Sequence, residues 1–191
     1  YGENLNFPSK EDFNTDKPLS FYAATKKSNE IMAYTYSNIF KLPCTGLRFF
    51  TVYGPYGRPD MALFKFTKNI LENKKIELFN NGNHSRDFTY IDDVIDGIFL
   101  IINKPKKQKI PFSIFNIGNG NSKKLKEYIN IIEKNLGLKA KIIKLPLQKG
   151  DIKKTSSDIN KLNLCAGYNP KISIEVGIKK FIDWYKEYYK Y

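Results

Sequence analysis

At 191 residues the chain is long enough to bury a full core, and it fits one domain or one domain with part of another. It has 32 basic and 19 acidic residues, a formal charge of +13, with the lysines spread along its whole length. No run nears the ~20 apolar residues that cross a bilayer, and Cys44 and Cys165 offer neither metal-ligand spacing nor a disulfide framework, so a cytoplasmic protein without membrane or metal is expected.

A charge of this size raises the question of a nucleic-acid partner, because clustered lysines release phosphate counterions. The densest cluster, Lys104, Lys106, Lys107 and Lys109, lies between prolines and reads as a solvated loop, and no aromatic-basic interleaving forms a stacking surface. No nucleic-acid partner is expected. Of the 32 basic residues only Arg48, Arg58 and Arg86 are arginine, so each of those positions points to a need for a planar, two-pronged donor. The opening Tyr1-Gly2 carries no charged and apolar leader, and the expectation is a segment of a longer protein.

In chain order, Ser20 is placed to cap a helix over 21–40, ended by Lys41-Leu42-Pro43. The β-branched and aromatic run 45–53 predicts one buried strand, stopped at Gly54-Pro55. A helix over 62–72, a strand over 76–79 and a turn over 80–83 follow. A helix opened by Asp92 places Val94, Ile95, Ile98, Phe99 and Ile102 on one apolar stripe, predicting core. A strand over 113–117, a capped helix over 122–136 and a strand over 141–145 come next. The last helix begins at Ser173, with Ile174, Ile178, Phe181, Tyr185 and Tyr188 as its core stripe.

Strands alternating with helices predict an α/β fold. No Gly-rich dinucleotide fingerprint occurs in the 191 residues, so the pyrophosphate loop of any nucleotide cofactor is expected upstream of Tyr1. Arg48, inside an apolar strand, is expected to anchor the fold through a buried carboxylate. His84, among Asn, Gly and Ser, is expected in a solvated loop.

Tyr22 and Lys26 lie four apart, on one face of the first helix. An ammonium beside a phenol favours the phenolate, so the pair has the parts of a base that takes a hydroxyl proton while hydride leaves the same carbon. Spacing alone proves little: thirteen tyrosines and 29 lysines give about two such pairs by chance. Context adds the weight. Tyr22-Ala23-Ala24-Thr25-Lys26 has small residues between the pair. With Leu47-Arg48-Phe49-Phe50-Thr51-Val52-Tyr53-Gly54-Pro55 and Arg86-Asp87-Phe88-Thr89-Tyr90-Ile91-Asp92-Asp93-Val94, in this order, the chain resembles the extended short-chain dehydrogenase/reductases that epimerise nucleotide sugars.

The resemblance covers essentially the whole chain. It implies the C-terminal part of a Rossmann-like parallel-sheet domain, 1–56 and about 88–118, with a smaller α+β substrate-binding lobe at about 57–87 and 119–191. It implies NAD as cofactor, with Tyr22 as catalytic acid/base, Lys26 supporting it, and Phe49 and Val52 against the nicotinamide half. Tyr1-Gly2 resembles the end of the segment that supplies the family's serine or threonine partner of the tyrosine, so that partner is expected upstream. A homodimer pairing helices of the cofactor domain, the Tyr22 helix among them, is also implied.

The run from Thr51 through Gly57-Arg58-Pro59-Asp60-Met61-Ala62 most resembles capsule-type UDP-glucuronate 4-epimerases. By that resemblance Thr51 and Arg58 bind the sugar carboxylate, Arg86 the UDP phosphates and Asp151 the ribose hydroxyls, while Phe79 and Asn81 flank the uridine. A loop arginine paired with Asp60 is the plain alternative for Arg58. Gln148 stands where related epimerases often carry a phosphate-binding arginine, so one anion contact is weakened or supplied elsewhere. Two alternatives remain: a UDP-glucose, UDP-galactose or N-acetyl-sugar 4-epimerase, and a non-catalytic remnant that binds a nucleotide sugar or a partner.

Overall fold

The computed structural model describes residues 1–191 apart from Glu3 and Lys149. Helix α1 (Phe21–Phe40) starts where Ser20 Oγ accepts the Ala23 N–H at 3.1 Å, occupying one donor of the open helix end. It ends at Lys41, which turns left-handed ahead of Pro43. The helix is joined to strand β1 (Cys44–Phe49) by an Arg48–Glu30 pair, so the carboxylate expected for Arg48 comes from the Tyr22 helix itself.

The expected strand over 45–53 is two strands. β1 runs parallel to β5 (Phe112–Ile117), and Phe50 then leaves the ladder. Strand β2 (Thr51–Tyr53) pairs instead with β4 (Ser85–Tyr90), again in parallel. One unladdered residue is enough to re-aim a strand, and this one points Thr51 towards β4. β3 (Lys75–Phe79) pairs in parallel with β7 (Lys141–Leu145). The α/β character expected from the sequence is therefore present, built on parallel pairs.

Strand β6 (Ser122–Lys124) lies antiparallel on β4. The expected helix over 122–136 consequently begins three residues late, as α4 (Leu125–Leu136), because β4 offers Ser122 an edge at Asp87. Helix α3 (Ile91–Ile102) also departs from expectation: Ile95, Phe99 and Ile102 face outwards. Its buried line is Val94, Gly97 and Ile101, and the side of Gly97 is filled by the Tyr168 ring, which a Cβ would meet at 2.9 Å. The missing side chain rotates the stripe.

Two apolar clusters form the core. The larger joins α2 (Ala62–Leu71), β3, β4, α4 and α6 (Ile174–Tyr189) around Phe64, Ile76, Phe88, Tyr128 and Phe181. Tyr188 on α6 is exposed, whereas the other four residues of its expected stripe are buried. The smaller cluster joins β5 and α3 to α5 (Asn160–Ala166), a seven-residue helix that the sequence pattern does not announce. Among the described residues, no helix is long and apolar enough to cross a membrane.

A buried carboxylate ties these parts together. Asp87 on β4 accepts N–H groups from Asn119, Gly120 and Ser157 and the hydroxyl of Ser157, at 2.6 to 3.1 Å. Four donors on one desolvated carboxylate offset the cost of burying its charge.

Candidate active site

A cavity of about 720 Å³ opens between α2, β3 and β4. Of the residues singled out in the sequence, Thr51, Phe79, Arg86 and Asp151 line it. Apolar walls come from Phe66, Phe88 and Ile143, while Lys65, Lys75 and Glu77 bring charge. Apolar walls with several charged groups of both signs suit a small polar organic ligand.

Arg86 and Asp151 meet inside it, although 65 residues separate them in sequence. Arg86 Nη2 donates to Asp151 Oδ1 at 3.0 Å, and Nη1 donates to the Ser85 carbonyl at 3.2 Å. Burial pulls the Arg86 pKa below the ordinary arginine value, with Asp151 working against that fall. A guanidinium held this way has N–H groups to offer an anion, and its fixed plane suits a diphosphate. Gln148 sits one turn before Asp151, its carbonyl accepting the Asp151 N–H at 3.2 Å.

His84 was expected in a solvated loop and is instead buried, only 4% exposed, and lines the same cavity. Its Nε2 lies 3.1 Å from Asp151 Oδ2. Burial lowers its pKa from 6.5; the Asp151 carboxylate opposes that and the Arg86 guanidinium adds to it. A signal was available: residues two apart on extended chain share a face, so a histidine two before Arg86 shares the arginine's side.

Tyr22 and Lys26 stand outside this cavity, on the exposed start of α1. Lys26 Nζ is 5.2 Å from the centre of the Tyr22 ring, and the ring is 70% exposed. Leu19, three residues before Tyr22, lies against the turn that carries Asp151: a Cβ on Gly150 would meet the Leu19 carbonyl at 3.4 Å. Phe49, half exposed, ends β1, and Val52 on β2 packs against the smaller apolar cluster. Phe49 thus sits at the C-terminal end of a parallel strand, where α/β sheets bind ligands, and Val52 lies within the short strand that follows.

Arg58 is exposed and gives both prongs to Asp60, Nε to Oδ1 at 3.0 Å and Nη2 to Oδ2 at 2.6 Å. This is the plain pairing open from the sequence. That hydrogen bond is the main cause holding the Arg58 pKa above its ordinary value. Asp60, its partner, lies on the cavity wall. Asn81 adopts a left-handed conformation, φ 51°, in the single 3-10 turn Asn80–Gly82 that follows Phe79, and it does not line the cavity.

The sequence and fold are similar to those of known proteins. The chain is 46% identical to Protein CapI of Staphylococcus aureus, across all of this chain and 61% of CapI. It is 38% identical to a probable UDP-glucuronate 4-epimerase of Rhizobium meliloti (strain 1021), across all of this chain and 60% of that protein. The crystal structure of the UDP-glucuronic acid 4-epimerase of Bacillus cereus, in complex with UDP-glucuronic acid and NAD, superposes with a TM-score of 0.85 at 35% identity, over 95% of this chain and 58% of that one. The chain thus spans about three-fifths of the length of these relatives. Residues 1–118 match the family described as NAD dependent epimerase/dehydratase, and the chain belongs to that family.

Proposed function

We propose that the whole protein interconverts UDP-glucuronate and UDP-galacturonate by epimerisation at C4, with NAD as resident cofactor. The observation that carries the reading is the Arg86–Asp151 pair inside a cavity that Thr51 and Asp60 also line, with Leu19, just before the Tyr22 helix, beside the Gly150-Asp151 turn. The likeness to UDP-glucuronate 4-epimerases supports the choice of substrate.

Tyr22, Lys26, Phe49 and Val52 would hold the nicotinamide half of NAD, with the Lys26 ammonium 5.2 Å from the centre of the exposed Tyr22 ring. NAD would supply a reversible acceptor for the C4 hydride. Tyr22 takes the O4 proton as that hydride leaves, giving a 4-keto sugar, and returns the proton when hydride comes back on the opposite face. The Lys26 ammonium stabilises the phenolate form of Tyr22. Arg86 holds the diphosphate, Asp151 accepts the ribose hydroxyls, and Phe79 and Asn81 flank the uridine.

Arg58, with Thr51, grips the C6 carboxylate after exchanging Asp60 for it. A 4-keto sugar with a free C6 carboxylate is a β-keto acid, and a tightly paired anion resists loss of CO2. A homodimer through the exposed apolar face of α1 and a cytoplasmic location belong to the same reading.

Tyr22→Phe in the full-length protein is expected to lower kcat by roughly 10²- to 10⁴-fold, the usual worth of a positioned acid/base. Unchanged turnover overturns the reading. A second reading, UDP-glucose or an N-acetylated sugar as substrate, draws on the saturation of Arg58 by Asp60. Competition between UDP-glucuronate and UDP-glucose in Arg58→Ala separates the two. The first reading expects a selective loss of about 10- to 100-fold for the uronate, as when a charge-assisted pair is removed.

A further inference from the structure

The buried His84 has no part in the function proposed above, and its surroundings are unusual. Among the described residues its Nε2 makes no hydrogen bond, although Asp151 Oδ2 lies 3.1 Å away. The other oxygen of the same carboxylate is held by Arg86 at 3.0 Å. A neutral imidazole with its proton on Nδ1 sets two acceptors against each other here, one with its proton on Nε2 donates a neutral hydrogen bond, and the imidazolium makes the stronger, charge-assisted ion pair.

Arg86 and His84 therefore compete for, or share, one carboxylate. With Arg86 on Asp151, the carboxylate is neutralised and the imidazole has little reason to charge. When an anion draws the Arg86 guanidinium onto itself, the half-buried Asp151 is left with a weakened partner, a cost that another cation in place would offset. His84 is the group in place to do so.

We propose that His84 is a positioning residue of the nucleotide site, taking up a proton from solvent when the diphosphate of a bound nucleotide sugar engages Arg86, so that Asp151 keeps a cationic partner. The inference rests on the nucleotide-sugar reading above. The charges acting directly on the imidazole are Asp151, which favours its protonation, and Arg86, which opposes it. Asp60, Lys65, Lys75 and Glu77 line the same cavity from the 54–61 loop, α2 and β3. Lys126 of α4 approaches the neighbouring Gly82, a Cβ on which would meet its Cε at 3.3 Å. The diphosphate diester of a UDP-sugar has no proton to give or take near neutrality, so a proton that moves on binding comes to the protein.

The sign follows from linkage. Burial holds the His84 pKa low in the free protein, and the bound anion raises it. Affinity is then greatest below the free-state pKa and falls as pH rises towards the bound-state pKa, by up to ~10-fold per pH unit.

The test is calorimetry of UDP-glucuronate, and in parallel UDP-glucose, binding to the full-length protein. Titrations are run in buffers of different ionisation enthalpy across the range from acidic to neutral pH. The expected result is buffer-dependent heat corresponding to uptake of a large fraction of one proton, absent in His84→Gln, which still binds. Binding of either sugar nucleotide without proton uptake in the natural protein overturns this inference and leaves the nucleotide-sugar reading standing. Uptake that persists in His84→Gln overturns it as well. Failure of both ligands to bind removes the nucleotide-sugar reading and this inference with it.

Discussion

Arg48 and Glu30 form a two-pronged ion pair, Nε to Oε1 at 2.7 Å and Nη2 to Oε2 at 2.9 Å, between β1 and the helix that carries Tyr22. A third N–H of the same guanidinium reaches the Glu11 carbonyl at 3.3 Å, and its plane lies 4.9 Å from the centre of the Tyr1 ring. The pair is mostly shielded from water. One arginine thus fixes where α1 sits against β1.

Arg48→Lys keeps the charge and loses the fork. We expect a loss of about 1–2 kcal/mol in stability, read as a lower midpoint in urea at unchanged slope. Because the Tyr22 helix loosens against the strand end, kcat should fall more than the affinity for the nucleotide. Equal stability of the two proteins would show that the planar geometry is not what matters.

Asp87→Asn tests the carboxylate that gathers Asn119, Gly120 and Ser157. An amide offers one acceptor oxygen and turns an NH2 group on the remaining donors, so the substitution is expected to cost roughly 3 kcal/mol or more. Arg86 is its chain neighbour. Weaker nucleotide-sugar binding should accompany the lower melting temperature, and Asp87→Glu, too long for the pocket, should fail to restore either.

Glu133 near the end of α4 accepts the Ala140 N–H at 2.8 Å and the Lys139 ammonium at 2.7 Å, clamping the turn into β7. Burial pushes this carboxyl up, but the bonds from Lys139 and Ala140 prevail and hold its pKa below 4.5. A group whose folded pKa is depressed stabilises above its unfolded value, and that contribution is lost as pH falls through the folded one. Glu133→Gln should therefore be less stable than the natural protein at pH 7, by ~1 kcal/mol from the hydrogen bonds alone. The gap should close on acidification below pH 4.5, and thermal melts across that range measure it.

Much of the architecture could be read in the sequence because local chemistry decides it. Ser20 and Ser173 cap the helices whose starts they mark, and 141–145 is a strand as its pattern says. The misreadings occur where a distant residue decides. Ser122 becomes strand because β4 lies beside it, and α3 turns its stripe because Tyr168, seventy-one positions beyond Gly97, fills the glycine's side. His84 looks like loop in a window of Asn, Gly and Ser, and Asp151, far downstream, is what gives it a place. Thr51, Phe79, Arg86 and Asp151, singled out in the sequence, line one cavity. The cavity's shape was not legible, because α2, β3 and β7 meet only in three dimensions.

The Asp87–Ser157 closure also bears on how the chain assembles. Seventy residues lie between the two partners, and β1 and β3 likewise wait for β5 and β7. Nearly every strand pairing in this chain closes a long loop, and such topologies fold slowly because the entropy of closure precedes the gain from contact. On a ribosome adding roughly 5–20 residues per second, β4 would emerge several seconds before the donors for its carboxylate exist. The closing of the Asp87 carboxylate is thus among the last events of this chain's assembly, because its Ser157 donors lie so far downstream.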